Sequence, residues 1–131
     1  MTVLIIDDNA DWRVLLEHSL KADGIRAIGL ARGEWVLVAI DTHHPDVVVL
    51  DVQLPGVNGL QVLDRVRQRW PDLPVIVMTS FAGPDTREDA RRRGATGFMD
   101  KPFSIARLVS ELTWVTRDSG AAPDREHQGG L

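Results

Sequence analysis

The sequence predicts an α/β domain: a doubly wound parallel sheet of five strands in the order 2-1-3-4-5, with helices on both faces. Three observations lead there. Short apolar runs, rich in β-branched residues, alternate five times with segments whose apolar residues recur at helical spacing. Two of those runs, Val47 to Leu50 and Val75 to Met78, are apolar at every position, the pattern of strands covered on both faces. Finally, 131 residues with 44% hydrophobic content make one substantial core and are too few for two ordinary domains. Right-handed crossovers leave few strand orders, and 2-1-3-4-5 is a common one for five strands.

Each element has its own signal. Val3 to Ile6 is a short strand that ends abruptly at Asp7-Asp8. After Asn9, Trp12, Leu15, Leu16 and Leu20 fall on one helix face, and Gly24 closes the helix. Ile25 to Leu30 suits a strand, and Arg32 to about Thr42 a helix that is apolar on more than one side. Val47 to Leu50 ends at Asp51, and the turn formers of residues 53–59 predict a loop. Leu60 to Trp70 reads as a helix stopped by Pro71, with Leu60, Leu63, Val66 and Trp70 near one face. Val75 to Met78 precedes Thr79-Ser80, and a polar helix from Pro84 to Arg93 is ended by Gly94. Gly97 to Met99 is a weak strand leading into Asp100-Lys101-Pro102. Ser104 caps a last helix to about Thr116, with Ile105, Leu108, Val109, Leu112 and Val115 turned inward.

Composition narrows the function classes. Fifteen Lys and Arg against nineteen Asp and Glu give a net charge of −4, which carries no general attraction to nucleic acid or to anionic membrane surfaces. The absence of cysteine excludes disulfides, thiolate metal sites and thiol catalysis. The longest apolar run, Trp35 to Ile40, is far shorter than the ~20 residues of a membrane span, and the N-terminus lacks a basic n-region. The expectation is a cytoplasmic, soluble protein.

In doubly wound sheets, ligands bind beyond the carboxyl ends of the strands, at the switch in strand order. The residues delivered to that edge are Asp7-Asp8, Asp51, Thr79 and Lys101. Three carboxylates together repel one another, and oxygen-only ligation without His or Cys favours a hard cation such as Mg²⁺. A carboxylate beside such a cation can attack a phosphoryl group, with Lys101 balancing its charge. One aspartate alone reads more simply as a helix N-cap, Thr79 alone as a strand-end hydroxyl, and Lys101 alone as a solvated lysine. Their weight comes from convergence.

Ile5-Ile6-Asp7-Asp8-Asn9, Val49 through Gly59, Val77-Met78-Thr79-Ser80 and Lys101-Pro102-Phe103 occur in an order and at intervals that resemble the receiver domain of two-component response regulators. The resemblance covers residues 2 to about 117 and extends to single-domain chemotaxis-type regulators. It implies the flavodoxin-like (βα)5 fold, with Asp51 as phosphoacceptor, Asp7, Asp8 and Asp51 as Mg²⁺ ligands, and the backbone carbonyl of Gln53 completing the set. It further implies Thr79 as the switch hydroxyl, Lys101 as the phosphoryl partner, Phe98 at the switch aromatic position, and a cis bond before Pro102. Gln53 and Phe81, two residues beyond Asp51 and Thr79, would border the path of hydrolytic water. The implied function is a phosphorylation-activated switch fed by a histidine kinase or histidine phosphotransfer protein. It would catalyse only its own phosphorylation and dephosphorylation. Output would pass through the face built by the helix after Thr79, the strand holding Phe98 and the helix from Ser104, to a protein partner or a second copy, without direct nucleic-acid or membrane binding.

Competing readings fit less well. An aspartyl-phosphate phosphatase would carry a second Asp two residues after the nucleophile, where this chain has Gln53, and usually a cap insertion. A flavin-binding electron carrier would need a Gly/Ser/Thr-rich phosphate loop after the first strand, where Asp7-Asp8-Asn9 would repel phosphate. A phosphate carrier within a relay differs from the switch only in lacking a conformational output. Arg91-Arg92-Arg93 reads as a solvated helix end that complements the helix dipole, and His43-His44 lacks a third ligand. His18 faces outward, and Trp12, Trp35, Trp70 and Trp114 read as packing residues or half-exposed anchors. Residues 118–131 are too polar and Gly/Pro-rich to offset their ordering entropy, so a disordered tail is expected after a receiver domain of residues 1–117.

Overall fold

A computed structural model of the chain describes residues 1–80 and 83–117. The expected tail, like Phe81, lies outside the described residues. In chain order the elements are β1 (Thr2–Ile6), α1 (Ala10–Ala22), β2 (Arg26–Leu30), α2 (Val36–His43), β3 (Val47–Asp51), α3 (Gly59–Arg69), β4 (Val75–Thr79), α4 (Pro84–Arg92), β5 (Gly97–Asp100) and α5 (Ile105–Thr116). These five strands form one all-parallel sheet in the order β2-β1-β3-β4-β5. That is the doubly wound, flavodoxin-like arrangement the alternation of elements predicts.

Strand side chains alternate between faces, so each apolar run supplies two cores. Leu4, Ile6, Val48, Leu50, Val75, Val77 and Phe98 meet Val36 and Ile40 of α2, Val62, Leu63 and Val66 of α3, and Ala90 of α4. Val3, Ile5, Val47, Val49, Ile76, Met78 and Met99 meet Leu16 and Leu20 of α1 and Leu108, Leu112 and Val115 of α5. Both β3 and β4 are buried at all five positions. Among the described residues no helix is long and apolar enough to cross a membrane.

Four local expectations are corrected. Leu15 is not on the inward stripe of α1: it is 52% exposed while Leu16 and Leu20 are fully buried. Successive residues turn through about 100° in a helix, so the stripe that runs through Trp12, Leu16 and Leu20 leaves Leu15 to one side. The second helix does not run evenly from Arg32. A 3-10 turn over Gly33–Trp35 leads into α2, which ends at His44 in the left-handed region (φ 49°), just before Pro45. The predicted loop after Asp51 contains a small antiparallel ribbon, Gln53–Leu54 against Val57–Asn58. Gly56 makes its turn at φ 80°, the value a type II turn asks of its third residue. Finally, α4 stops at Arg92, with Arg93 as its C-cap.

The amino edge of the sheet is tied by one side chain. Arg67, projecting from α3, donates from Nη1 to the carbonyls of Trp70, Pro71 and Leu73, and from Nε and Nη2 to that of Gly94. The first three carbonyls precede β4 and the last precedes β5, so one guanidinium fixes the entry of two strands. Burial lowers its pKa from the usual arginine value, against the opposing charge of Asp72.

Candidate functional site

The ladder registers explain why residues far apart in sequence meet at the carboxyl edge. Ile6 pairs with Leu50, so Asp7 and Asp51 leave adjacent central strands at the same height. Asp51 pairs with Met78 and Thr79 with Asp100, which brings in the ends of β4 and β5. The backbone N–H of Lys101 donates to the Thr79 carbonyl at 2.9 Å, and the Lys101–Pro102 bond is cis, as the family resemblance implies.

Asp7 is fully buried and Asp51 is 3% exposed, whereas Asp8 faces solvent. The Lys101 ammonium bridges the two buried carboxylates, donating to Asp7 Oδ2 at 2.7 Å and to Asp51 Oδ2 at 3.0 Å. Their other oxygens accept backbone N–H groups: Asn9 to Asp7 Oδ1 at 2.9 Å, and Gln53 to Asp51 Oδ1 at 2.8 Å. Arg13 donates to the Asp7 carbonyl at 2.7 Å, and Asn9, rather than either aspartate, caps α1 by accepting from Trp12 N. The aspartates are therefore not spent on capping.

Oxygens of Asp7, Asp8 and Asp51 lie within 4.8 Å of one another. Three carboxyl groups thus gather around the Lys101 ammonium, more acids than it can pair with. Burial raises the Asp51 pKa above the usual carboxylate value, with the nearby Asp7 charge adding to it and the Gln53 N–H and Lys101 opposing. Burial pulls the Lys101 ammonium the other way, but the hydrogen bonds and charges of Asp7 and Asp51 outweigh it and hold its pKa above the usual lysine value. An all-oxygen donor set with this excess of acids fits a hard divalent cation such as Mg²⁺.

Around the carboxylates stand the remaining predicted residues. Thr79 is fully buried, and its Oγ1 donates to Gln53 Oε1 at 3.1 Å. Phe98 is 1% exposed and sits in the core between the sheet and α2 to α4, with the Arg87 guanidinium 4.6 Å above its ring. The ring lies inside the domain, not in solvent. Trp12 is half-buried, edge-on to Phe103 at 5.1 Å, with the Lys101 ammonium 5.7 Å from its ring centre. Gly59 opens α3 hard against the strand end: a Cβ there would lie 2.4 Å from Val52 Cα and 2.7 Å from the Asp51 carbonyl oxygen.

Sequence reasoning thus names the charged set and misses three side chains around it. Arg13 on the Asp7 carbonyl, Arg87 over Phe98, and the amide of Gln53 on Thr79 depend on helix orientation and rotamer, for which the sequence carries no signal. The Arg91-Arg92-Arg93 run is paired within the domain, to Glu88, to Asp89, and to Asp89 with Asp64 respectively. Among the described residues, neither His43 nor His44 belongs to a cluster that could hold a metal.

Comparison with known proteins agrees with this fold. The family described as response regulator receiver domain matches residues 3–113. The DNA-binding transcriptional regulator NtrC of Klebsiella pneumoniae is 38% identical over 106 residues, 81% of this chain and 23% of NtrC. The probable transcriptional regulatory protein TcrX of Mycobacterium tuberculosis is 33% identical over 120 residues, 92% of this chain and 51% of TcrX. The chain thus spans about a quarter to a half of these relatives. Among solved structures, the receiver domain of NtrX from Brucella abortus superposes with a TM-score of 0.83 at 32% identity, covering 89% of this chain and 99% of that one. The Vibrio cholerae chemotaxis protein CheY4 gives 0.82 at 28% identity, covering 87% and 97%.

Proposed function

The chain belongs to the response regulator receiver family, and we propose that it is a cytoplasmic phosphorylation switch with Asp51 as the phosphoacceptor. The observation that carries this reading is the convergence of Asp7, Asp8, Asp51 and Lys101 from three strand ends onto one spot. A carboxylate oxygen of Asp51 attacks the phosphorus of a phosphohistidine on a histidine kinase or phosphotransfer protein. The new O–P bond forms as the P–N bond breaks, and the departing imidazole takes up a proton. Mg²⁺, held by Asp7, Asp8, Asp51 and the Gln53 carbonyl, would supply the positive charge that offsets the phosphoryl oxygens. Lys101, already bonded to Asp51, is placed to pair with one of those oxygens, and Thr79 to donate its hydroxyl to another.

The phosphoryl group, by analogy with other phosphorylated side chains, carries about −1.5 to −2 charge units in place of the single charge of the carboxylate it consumes, and drawing Thr79 towards it disturbs the end of β4 next to α4. Phe98 already fills the interior, so the change at the α4-β5-α5 face is a rearrangement of Arg87 and α4 around a seated ring. That face would carry the signal to a protein partner or a second copy of the chain. The domain catalyses only its own phosphorylation and dephosphorylation. DNA binding, where it occurs in a relative such as NtrC, would be the work of other parts of the protein.

Intact mass after incubation with Mg²⁺ and acetyl phosphate tests the assignment. One phosphoryl adduct is expected, labile to hydroxylamine as an acyl phosphate is, and absent from Asp51→Asn and Asp51→Ala. An adduct that persists undiminished in both variants places the chemistry elsewhere.

A further inference from the structure

We infer that the side chain of Gln53 is a latch on the switch hydroxyl: it helps to hold Thr79 in the resting state by accepting the hydroxyl proton that Thr79 must redirect to reach the phosphoryl group. The inference rests on the reading of Asp51 as phosphoacceptor and extends it to what the resting state costs to leave. A hydroxyl carries one proton and can direct it at one strong acceptor at a time. In this structure Thr79 Oγ1 donates to Gln53 Oε1 at 3.1 Å. Thr79 is fully buried, so its proton cannot be handed to bulk water at no cost during the exchange. A donation to the phosphoryl group and a donation to Gln53 are therefore alternatives, and the amide competes directly with the phosphoryl oxygen.

Gln53 is well placed for this work. Its backbone N–H is fixed on Asp51 Oδ1 at 2.8 Å, and it begins the short ribbon that leads to Asn58. The residue after next to the phosphoacceptor is thereby anchored at its backbone while its exposed amide side chain reaches back across to β4. Two functions are divided between the two parts of one residue: the main chain orients Asp51 and the amide restrains Thr79. The Gln53 amide is a positioning group that acts through Thr79, while only the backbone of the residue touches the Asp51 carboxylate. A charge-assisted bond to the phosphoryl group is roughly twice as strong as this neutral one, so the exchange runs forward once Asp51 is modified and back when the group is lost.

The experiment compares Gln53→Leu, which keeps side-chain bulk but has no acceptor, with Gln53→Glu, which keeps an acceptor at similar reach; Gln53→Ala stands in if the leucine variant folds poorly. In the metal-free resting protein, the Thr79 methyl shift and side-chain couplings should move in Gln53→Leu and stay near wild type in Gln53→Glu. With Mg²⁺ and beryllofluoride, the concentration giving half-maximal conversion should fall by about fivefold in Gln53→Leu, the loss of one ordinary hydrogen bond from the resting side. That gain should vanish in a Thr79→Val background, which has no hydroxyl to release. A resting Thr79 signal unchanged in Gln53→Leu, or a gain that survives Thr79→Val, overturns the latch and leaves the phosphoacceptor assignment intact. A wild-type chain that gains no phosphoryl adduct by mass overturns both.

Discussion

Arg67 and Lys101 are half-buried cations at opposite edges of the same sheet, and they are held in opposite ways. Arg67, at the amino edge, gives its donors to the backbone carbonyls of Trp70, Pro71, Leu73 and Gly94. Lys101, at the carboxyl edge, gives its donors to the carboxylates of Asp7 and Asp51. Carbonyl oxygens neither titrate nor leave, and they carry no net charge for a competitor to claim. Carboxylates can take a proton, a metal or a phosphoryl group, and each of these weakens their hold on the lysine. The domain is built with one end fixed and one end exchangeable. Planar, five-donor arginine suits the first task and the point charge of lysine the second.

The largest effect should come from unmaking the fixed end. Arg67→Met should lower stability by about 3 kcal/mol in urea unfolding, because it leaves several partly buried carbonyls without a donor at once. Arg67→Lys should recover only part of this, since an ammonium cannot span carbonyls on both strand entries. The folded fraction of either variant should still accept the phosphoryl group. A loss below about 1 kcal/mol would show that the carbonyls find other donors, and the contrast between the edges would collapse.

The next effect is pH dependence confined to the exchangeable end. Burial raises the Asp51 pKa, so the folded protein holds that proton more tightly than the unfolded chain does. The stability this contributes is fully present below the ordinary carboxylate pKa and is lost as pH rises through the raised value. In chelator, Asp51→Asn should therefore be more stable than wild type at neutral pH, with the gap closing as pH falls below the carboxylate range. The decrement caused by Arg67→Met should be flat over the same range. A constant difference between wild type and Asp51→Asn across pH would show that the carboxylate gains no free energy from protonation.

The smallest signal is optical. A divalent cation competing for the Asp7 and Asp51 oxygens would loosen the Lys101 ammonium, which stands 5.7 Å from the Trp12 ring. Mg²⁺ should change Trp12 emission, and Asp8→Ala should raise the midpoint by about tenfold or more, the usual cost of disturbing a metal's ligand shell. A midpoint unmoved by Asp8→Ala removes Asp8 from the ligand set.

The exchangeable end was legible in the sequence because it lies in runs of like chemistry. Continuous apolar strands end in acids, a pattern that shows which residues must emerge where. The fixed end was not legible. Arg67 sits among Arg65, Gln68 and Arg69 on a helix where any of them could face solvent. Only the packing of α3 against the entries to β4 and β5 selects it. Similarly, Leu15 and Leu16 are chemically alike, and the register of α1 on the sheet decides which is buried. His44 adopts a left-handed conformation that sequence rules assign to glycine, the helix being ended by the chain's need to turn into Pro45 and β3. The Gln53 ribbon is two residues a side, below the length at which alternation can be seen. What periodicity and charge dictate can be read ahead; what orientation dictates cannot.

Gly59 has a consequence at the level of inheritance. Any single-base change of a glycine codon that yields another amino acid yields one with a Cβ, and here that atom would strike main chain, at Val52 Cα and the Asp51 carbonyl, where no side chain can step aside. Gly56, three residues earlier at the turn of the ribbon, has open space around its missing Cβ and is constrained only by its positive φ, which aspartate, one base change from two of the glycine codons, also visits. Drift can therefore pass through position 56 and is stopped at position 59. The strand end that carries Asp51 is protected against gradual displacement by a neighbour that takes no part in its chemistry.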